Sequence, residues 1–253
     1  IEGALAIVAA GGEDGSLCAM DKATGTIVWT CGDYPAGYAT PYPFTLNGTR
    51  YICGFMAQSV IVAEVSTGRL VLRFDWPSHS GVNVCAPIVH DEHLLVSTGY
   101  GYGAGLFKLT PRGDALQATP VWTTRRMRNK FQSPVLIDGK LYTSDEDGLK
   151  CLDFMTGERL WRKRGIRHGP LIVVNDHLIL LTETGELRIA EASPEGFEPI
   201  SIAKLFEGST FSVFQRVARQ RQGPRCWTVP VLCDGRLYVR NHTTVACLDL
   251  RKR

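Results

Sequence analysis

Residues 134–161 read Pro-Val-Leu-Ile-Asp-Gly-Lys-Leu-Tyr-Thr-Ser-Asp-Glu-Asp-Gly-Leu-Lys-Cys-Leu-Asp-Phe-Met-Thr-Gly-Glu-Arg-Leu-Trp. Four short strand-forming runs are separated by three turn signals, Asp138-Gly139, Asp147-Gly148 and Thr156-Gly157. An Asp-Gly pair supplies the positive φ angles of a tight hairpin, so the stretch predicts a four-stranded antiparallel meander. A single sheet of this kind cannot bury both of its faces. Radially stacked copies can, and that predicts a multi-bladed β-propeller.

The unit repeats along the whole chain. With Pro134 and its Asp138-Gly139 turn as the ruler, equivalent starts stand at Pro43 (turn Asn47-Gly48), Pro87 (turn Asp91-Glu92) and Pro230 (turn Asp234-Gly235), with Leu171 in the proline place of a fifth copy. Thr24-Gly25, Thr67-Gly68 and Thr156-Gly157 join third to fourth strands, and Trp29, Trp122 and Trp161 close their units. Such a tryptophan, packed between blades, removes enough apolar area from water to contribute about 2–3 kcal/mol. The expectation is one all-β domain over 1–253, about six consecutive blades of an eight-bladed ring. The first unit is expected to start at its second strand and the last to stop at its third. That pattern, with an opening Ile1 in place of Met, suggests a processed or excised portion of a larger ring. An open arc of this kind would expose apolar blade faces and self-associate. Residues 207–227 alone have no counterpart in the repeat and are longer than an ordinary connection.

Bulk properties exclude several functions. A net charge of +3 does not mark a nucleic-acid binder, and the basic runs at Arg125–Lys130 and at Arg216, Arg219, Arg221 and Arg225 carry no interleaved stacking aromatics. Both runs read as solvated loops. No run of eighteen apolar residues exists to span a membrane. The eight cysteines include no Cys-x-x-Cys pair, and Cys151 and Cys247 sit two residues before Asp153 and Asp249 as small core residues of a repeat. The six histidines are scattered, so no structural metal is expected.

The run Asp147-Gly-Leu-Lys-Cys-Leu-Asp-Phe-Met-Thr-Gly-Glu-Arg-Leu-Trp161, echoed by Asp14–Trp29, resembles the pyrroloquinoline-quinone (PQQ) repeat. Residues 226–251 look like the last blade of secreted bacterial PQQ-like propellers, which are similar to quinoprotein alcohol dehydrogenases or to an outer-membrane assembly lipoprotein. The resemblance covers essentially the whole chain. It implies a periplasmic, cell-surface or secreted protein. Quinoprotein dehydrogenases carry a vicinal Cys-Cys pair, a calcium-binding carboxylate and amide set, and an aspartate base. This chain has no adjacent cysteines and no acidic cluster that offers six to eight oxygens, and its aspartates fall at turns. The expected function is therefore a non-catalytic binding or assembly module with no cofactor. PQQ and calcium belong only to the alternative, a fragment of a PQQ-dependent alcohol dehydrogenase.

Propellers bind at the channel mouth, where the lead-in to each innermost strand exposes side chains. In this register those lead-ins contain Tyr38, Asn83, Lys130, Gln132, His168 and Trp227. Amide, amine, imidazole and aromatic groups together suit a protein or peptide partner, or a polar small molecule. The competing reading makes them rim residues that satisfy local backbone groups. His168 has no nucleophile or paired carboxylate beside it in the sequence, which argues against an active site. The glycine-rich Tyr100-Gly-Tyr-Gly-Ala-Gly105 lacks the Gly-Lys-Ser/Thr ending of a phosphate loop and reads as a strand-turn-strand connection.

Overall fold

The structure, a computed structural model, describes residues 1–166, 168–206 and 225–251. Most of the 207–227 segment, including Arg216, Arg219 and Arg221, lies outside the described residues. Among the described residues twenty-two strands form six antiparallel sheets, and within each sheet every strand pairs with its neighbours in sequence. The one helical element among the described residues is a 3-10 turn at His79–Gly81. Internal contacts divide the chain into two compact units of three sheets each, residues 1–130 with 155–157, and residues 131–154 with 158–253.

In the first unit, sheet one holds β1 (Leu5–Ala9), β2 (Leu17–Asp21) and β3 (Ile27–Cys31). Sheet two holds β4 (Tyr42–Leu46), β5 (Thr49–Phe55), β6 (Ser59–Glu64) and β7 (Leu70–Asp75). Sheet three holds β8 (Ile88–His90), β9 (His93–Thr98), β10 (Gly103–Arg112) and β11 (Ala115–Thr124). In the second unit, sheet four holds β12 (Val135–Ile137), β13 (Lys140–Asp145), β14 (Gly148–Asp153) and β15 (Arg159–Lys163). Sheet five holds β16 (Leu171–Val174), β17 (His177–Leu181), β18 (Glu186–Glu191) and β19 (Ser201–Lys204). Sheet six holds β20 (Val231–Cys233), β21 (Arg236–Arg240) and β22 (Val245–Asp249).

The repeat register holds residue for residue. The first hairpins close on the pairs Leu46↔Thr49, His90↔His93, Ile137↔Lys140, Val174↔His177 and Cys233↔Arg236. Pro87, Pro134 and Pro230 stand immediately before their first strands, Leu171 opens β16, and Pro43 is the second residue of β4. A proline suits these places because the first strand is an edge strand and can lack one N–H. Four of the hairpins turn through two residues of positive φ, the signature of a type I′ turn: Asn47-Gly48, Asp138-Gly139, Asn175-Asp176 and Asp234-Gly235.

One turn differs from its sequence reading. The loop between β13 and β14 is Glu146-Asp147, and Gly148 is already the first residue of β14, paired with Asp145. Its glycine answers a close approach: at φ 126°, a Cβ there would stand 2.4 Å from the Lys163 carbonyl oxygen.

Within each unit, neighbouring sheets stack by alternate residues. On β6, Ile61 joins Leu17, Ala19, Trp29 and Ile52 on one side, while Val60 and Val62 join Leu94, Val96 and Phe107 on the other. Period-2 alternation therefore buries both faces of an inner strand, which explains its unbroken apolar run. In the second unit, Tyr142, Leu149 and Cys151 pack on Leu178, Leu180 and Ala190, and Ile179 and Leu181 pack on Leu237 and Val239.

The tryptophans lock adjacent blades as expected, but from inside the outer strand and not from its end: Trp29 and Trp161 are each the middle residue of theirs. Trp29 donates its indole N–H to the Val65 carbonyl at 2.9 Å, and its ring lies on Gly68 of the next blade's Thr-Gly turn. Trp122 lies on Gly157 in the same way, and Trp161 donates to the Ser193 carbonyl at 2.9 Å. The aspartate before Thr-Gly serves the turn: the Asp21 carboxylate accepts from the backbone N–H of Ala23 and Thr24 and from the Thr24 hydroxyl. Those bonds hold its pKa below the ordinary aspartate value, led by the Thr24 backbone N–H.

Candidate functional site

The lead-ins to the first strands of the second unit converge. The position six residues before each hairpin-closing residue is Phe131 before Ile137, His168 before Val174 and Trp227 before Cys233. These three register equivalents form one aromatic cluster. Phe131 lies 4.9 Å from Trp227, centroid to centroid and tilted, and 5.7 Å from His168, edge to face. His242 meets Trp227 edge to face at 6.2 Å, and the Arg225 guanidinium sits 4.8 Å from the Trp227 ring centre. Such aromatic and cation–π contacts fix ring orientation as well as burying area.

Polar groups brace the cluster from behind. The buried Gln132 donates its amide N–H to the carbonyl oxygens of His168 at 2.7 Å and Trp227 at 3.4 Å, tying three lead-ins together. The Trp227 indole N–H donates to the buried Glu183 carboxylate at 2.8 Å. Beneath it the Cys226 thiol is pushed up to about 11 by burial, which leaves it a protonated packing group near neutral pH. His168 and Trp227 are partly exposed. The arrangement presents a rigid aromatic surface edged by two imidazoles and a guanidinium. Its polar backing holds the orientation of the rings and lead-ins.

The residues expected in the lead-ins thus separate into different roles. Gln132, His168 and Trp227 come together in the second unit, Gln132 as a brace and the other two as surface. In the first unit, Tyr38 is 73% exposed and its backbone N–H donates to the Asn83 carbonyl at 2.7 Å. Asn83 itself is fully buried. Its amide N–H donates to the carbonyls of Met56 and Ala57, and its side-chain oxygen accepts from the Thr98 hydroxyl at 2.7 Å. It is a clamp inside the blade stack. Lys130 places its ammonium 4.6 Å from the centre of the Tyr100 ring. Reading the sequence missed Phe131, Glu183, Arg225 and His242. Phe131 was readable in principle, since it shares a register position with His168 and Trp227. Glu183 and His242 likewise share a register position, nine residues after Val174 and Cys233, whereas Arg225 carries no repeat signal.

Among the described residues, no group of three or more His, Cys, Asp or Glu side chains is placed to hold a metal ion. None of the eight cysteines is in a disulfide. Burial pushes the Cys53 thiol up to about 12 and the Cys151 thiol up to about 11. Among the described residues no helix is long and apolar enough to cross a membrane.

The family model described as outer membrane protein assembly factor BamB matches residues 1–163, well over half of the sequence. The chain belongs to this family. Among solved structures, the crystal structure of BamB from Moraxella catarrhalis aligns over 98% of this chain and 70% of its own, with a TM-score of 0.67 at 18% identity. A computationally designed protein, Ika8, aligns over 98% of this chain and 81% of its own, with a TM-score of 0.50 at 10% identity. At such identities the likeness establishes the propeller fold. No curated protein matches the sequence.

Proposed function

We propose that this BamB-family propeller is a non-catalytic interaction module that works in outer-membrane protein assembly. In this reading it acts from the periplasm or cell surface, and it engages a protein partner through the aromatic surface of Phe131, His168 and Trp227. The observation that carries the reading is the convergence of those three register equivalents, braced by Gln132 and Glu183. A preorganised aromatic surface with a flanking arginine has the composition of a binding hot spot. Ordering costs on association are small when the rings are already held. The reading needs neither PQQ nor calcium.

The test is genetic and uses the full-length protein in its own cell. Deleting the gene lowers the amounts of folded outer-membrane proteins, and the wild-type gene restores them. A Phe131→Ala/Trp227→Ala double variant, present at wild-type level and exported, fails to restore them. Normal outer-membrane protein levels in the deletion strain, or full rescue by the double variant, overturn the proposal.

A further inference from the structure

The glycine-rich run at residues 99–105 is the expected strand-turn-strand connection, a turn at 99–102 between β9 and β10, and two of its glycines also open space beside that turn. Gly105 on β10 has no side chain where the Trp76 ring lies: a Cβ there would stand 2.9 Å from the ring. Gly103, at φ 129°, lets the Thr124 carbonyl approach to where a Cβ would be 2.3 Å away. Both approaches belong to one feature, an open pocket of about 210 Å³ lined by Trp76, Tyr102, Ala104, Thr123, Thr124 and Arg125, all in the first unit. Trp76 is fixed in place by its indole N–H, which donates to the Thr98 hydroxyl at 2.9 Å, and by an edge-to-face contact with Phe107 at 5.8 Å. Ala104 forms a small, buried floor, and Tyr102 stands 41% exposed at the side.

The pocket combines apolar and cationic lining. Two aromatic rings and an alanine methyl stand in it together with Thr123, Thr124 and the exposed Arg125. Arg125 makes no ion pair among the described residues, and it opens the basic run Arg125-Arg126-Met127-Arg128-Asn129-Lys130. A guanidinium recognises a carboxylate through paired N–H donors, and aromatic walls take an aliphatic stem. The volume is below that of a pocket for a drug-sized ligand and suits a single side chain.

We propose that the Trp76–Tyr102–Arg125 pocket captures an acidic side chain, glutamate or aspartate, from a partner polypeptide. The identification of the ligand as polypeptide rests on the interaction-module reading above; the acidic, apolar-stemmed chemistry rests on the pocket alone. The carboxylate pairs with Arg125 and the threonine hydroxyls, while the stem lies along the Trp76 ring. The local excess of arginine and lysine raises the concentration of acidic segments near the site and makes capture sensitive to salt.

The experiment is a titration of the whole protein, 15N-labelled, followed at the assigned indole N–H resonance of Trp76. The probes are the blocked peptide acetyl-Leu-Glu-Leu-Glu-amide and its neutral counterpart acetyl-Leu-Gln-Leu-Gln-amide. The acidic peptide is expected to shift the resonance saturably, with a dissociation constant on the order of 1 mM and weakening in salt, and the neutral peptide at least tenfold more weakly. Arg125→Gln and Tyr102→Ala, both at exposed positions, are expected to lose the response while keeping the wild-type melting temperature. Equal responses to the two peptides, an unchanged response in Arg125→Gln, or a response to free glucuronate with none to either peptide overturns the proposal. The Phe131→Ala/Trp227→Ala rescue test reads a different surface, so a failed peptide titration leaves that reading standing and the reverse also holds.

Discussion

At the scale of single residues, most of the fold's local decisions are made by turn chemistry. Three of the type I′ turns place glycine at the second central position, where positive φ carries no steric cost. The fourth does not. Asn175 and Asp176 adopt φ 45° and 62° with side chains on both, and a left-handed conformation is costly for an L-residue even when Asn and Asp tolerate it best. Replacing Asp176 by Gly is therefore expected to stabilise the protein by about 1 kcal/mol. The check is thermal or urea unfolding beside wild type, and a variant that is no more stable would show that the turn stores no strain. A different exception lies on β14. Lys150 is fully buried where the register puts Cys18 and Ile61 in blades one and two, and its ammonium meets the equally buried Asp145 carboxylate at 2.6 Å. The apolar run of β14 hides this pair from a reading based on periodicity alone.

At the scale of elements, the unit of stability is the contact of one blade's closing tryptophan with the next blade's turn. Trp29 both buries its ring on Gly68 and gives its indole N–H a partner, so the contact combines area with polar satisfaction. A Cβ at Gly68 would stand 2.7 Å from the Trp29 ring, at a residue whose φ is already 73°. Gly68→Ala is thus expected to destabilise by about 2 kcal/mol through overpacking and backbone strain together. Trp29→Ala should cost about 3–5 kcal/mol through the cavity it leaves. Because both act on one contact, the double variant should cost less than the sum. Additive costs in a chemical-denaturation cycle would mean that the ring and the glycine do not share a contact.

At the scale of the whole molecule, stability in acid follows from carboxylates spread over the blades. Arg50 holds Glu2, Arg69 holds Glu64 and Arg188 holds Glu186 below the ordinary glutamate value by side-chain hydrogen bonds, and Arg251 does the same for Asp249. Asp21 is lowered by its turn. A folded-state pKa below the unfolded one means that the unfolded chain binds protons first as pH falls. The stabilisation is then fully present above about pH 4.5 and is lost as pH drops through the folded values. Melting temperature is expected to be flat from neutral pH to about pH 5 and to fall below about pH 4. Asp21→Asn, which keeps the acceptor oxygen without the charge, should make that fall shallower. A melting temperature that is unchanged between pH 5 and pH 3 would exclude this origin.

The amino-acid pattern alone determined the blades. Asp-Gly and Asn-Gly pairs, the prolines before first strands and the Thr-Gly-to-tryptophan spacing are local signals, and each acts within a few residues of where it is written. The role of Trp29 was legible for the same reason, since an outer-strand tryptophan recurring with the repeat has to face its neighbour. Site chemistry was not local. Asn83, Lys130 and Gln132 stand in lead-ins that the register identifies, but a lead-in side chain has no period to say whether it turns inward or outward. Only stacked sheets enclosed Asn83 among the carbonyls of Met56 and Ala57 and brought Phe131, His168 and Trp227 into one surface. The same holds for the pocket of Trp76, Tyr102 and Arg125, whose walls come from two blades. A repeat fixes which residues stand at equivalent levels; which of them touch depends on how one sheet packs against the next, and that is decided by tertiary structure.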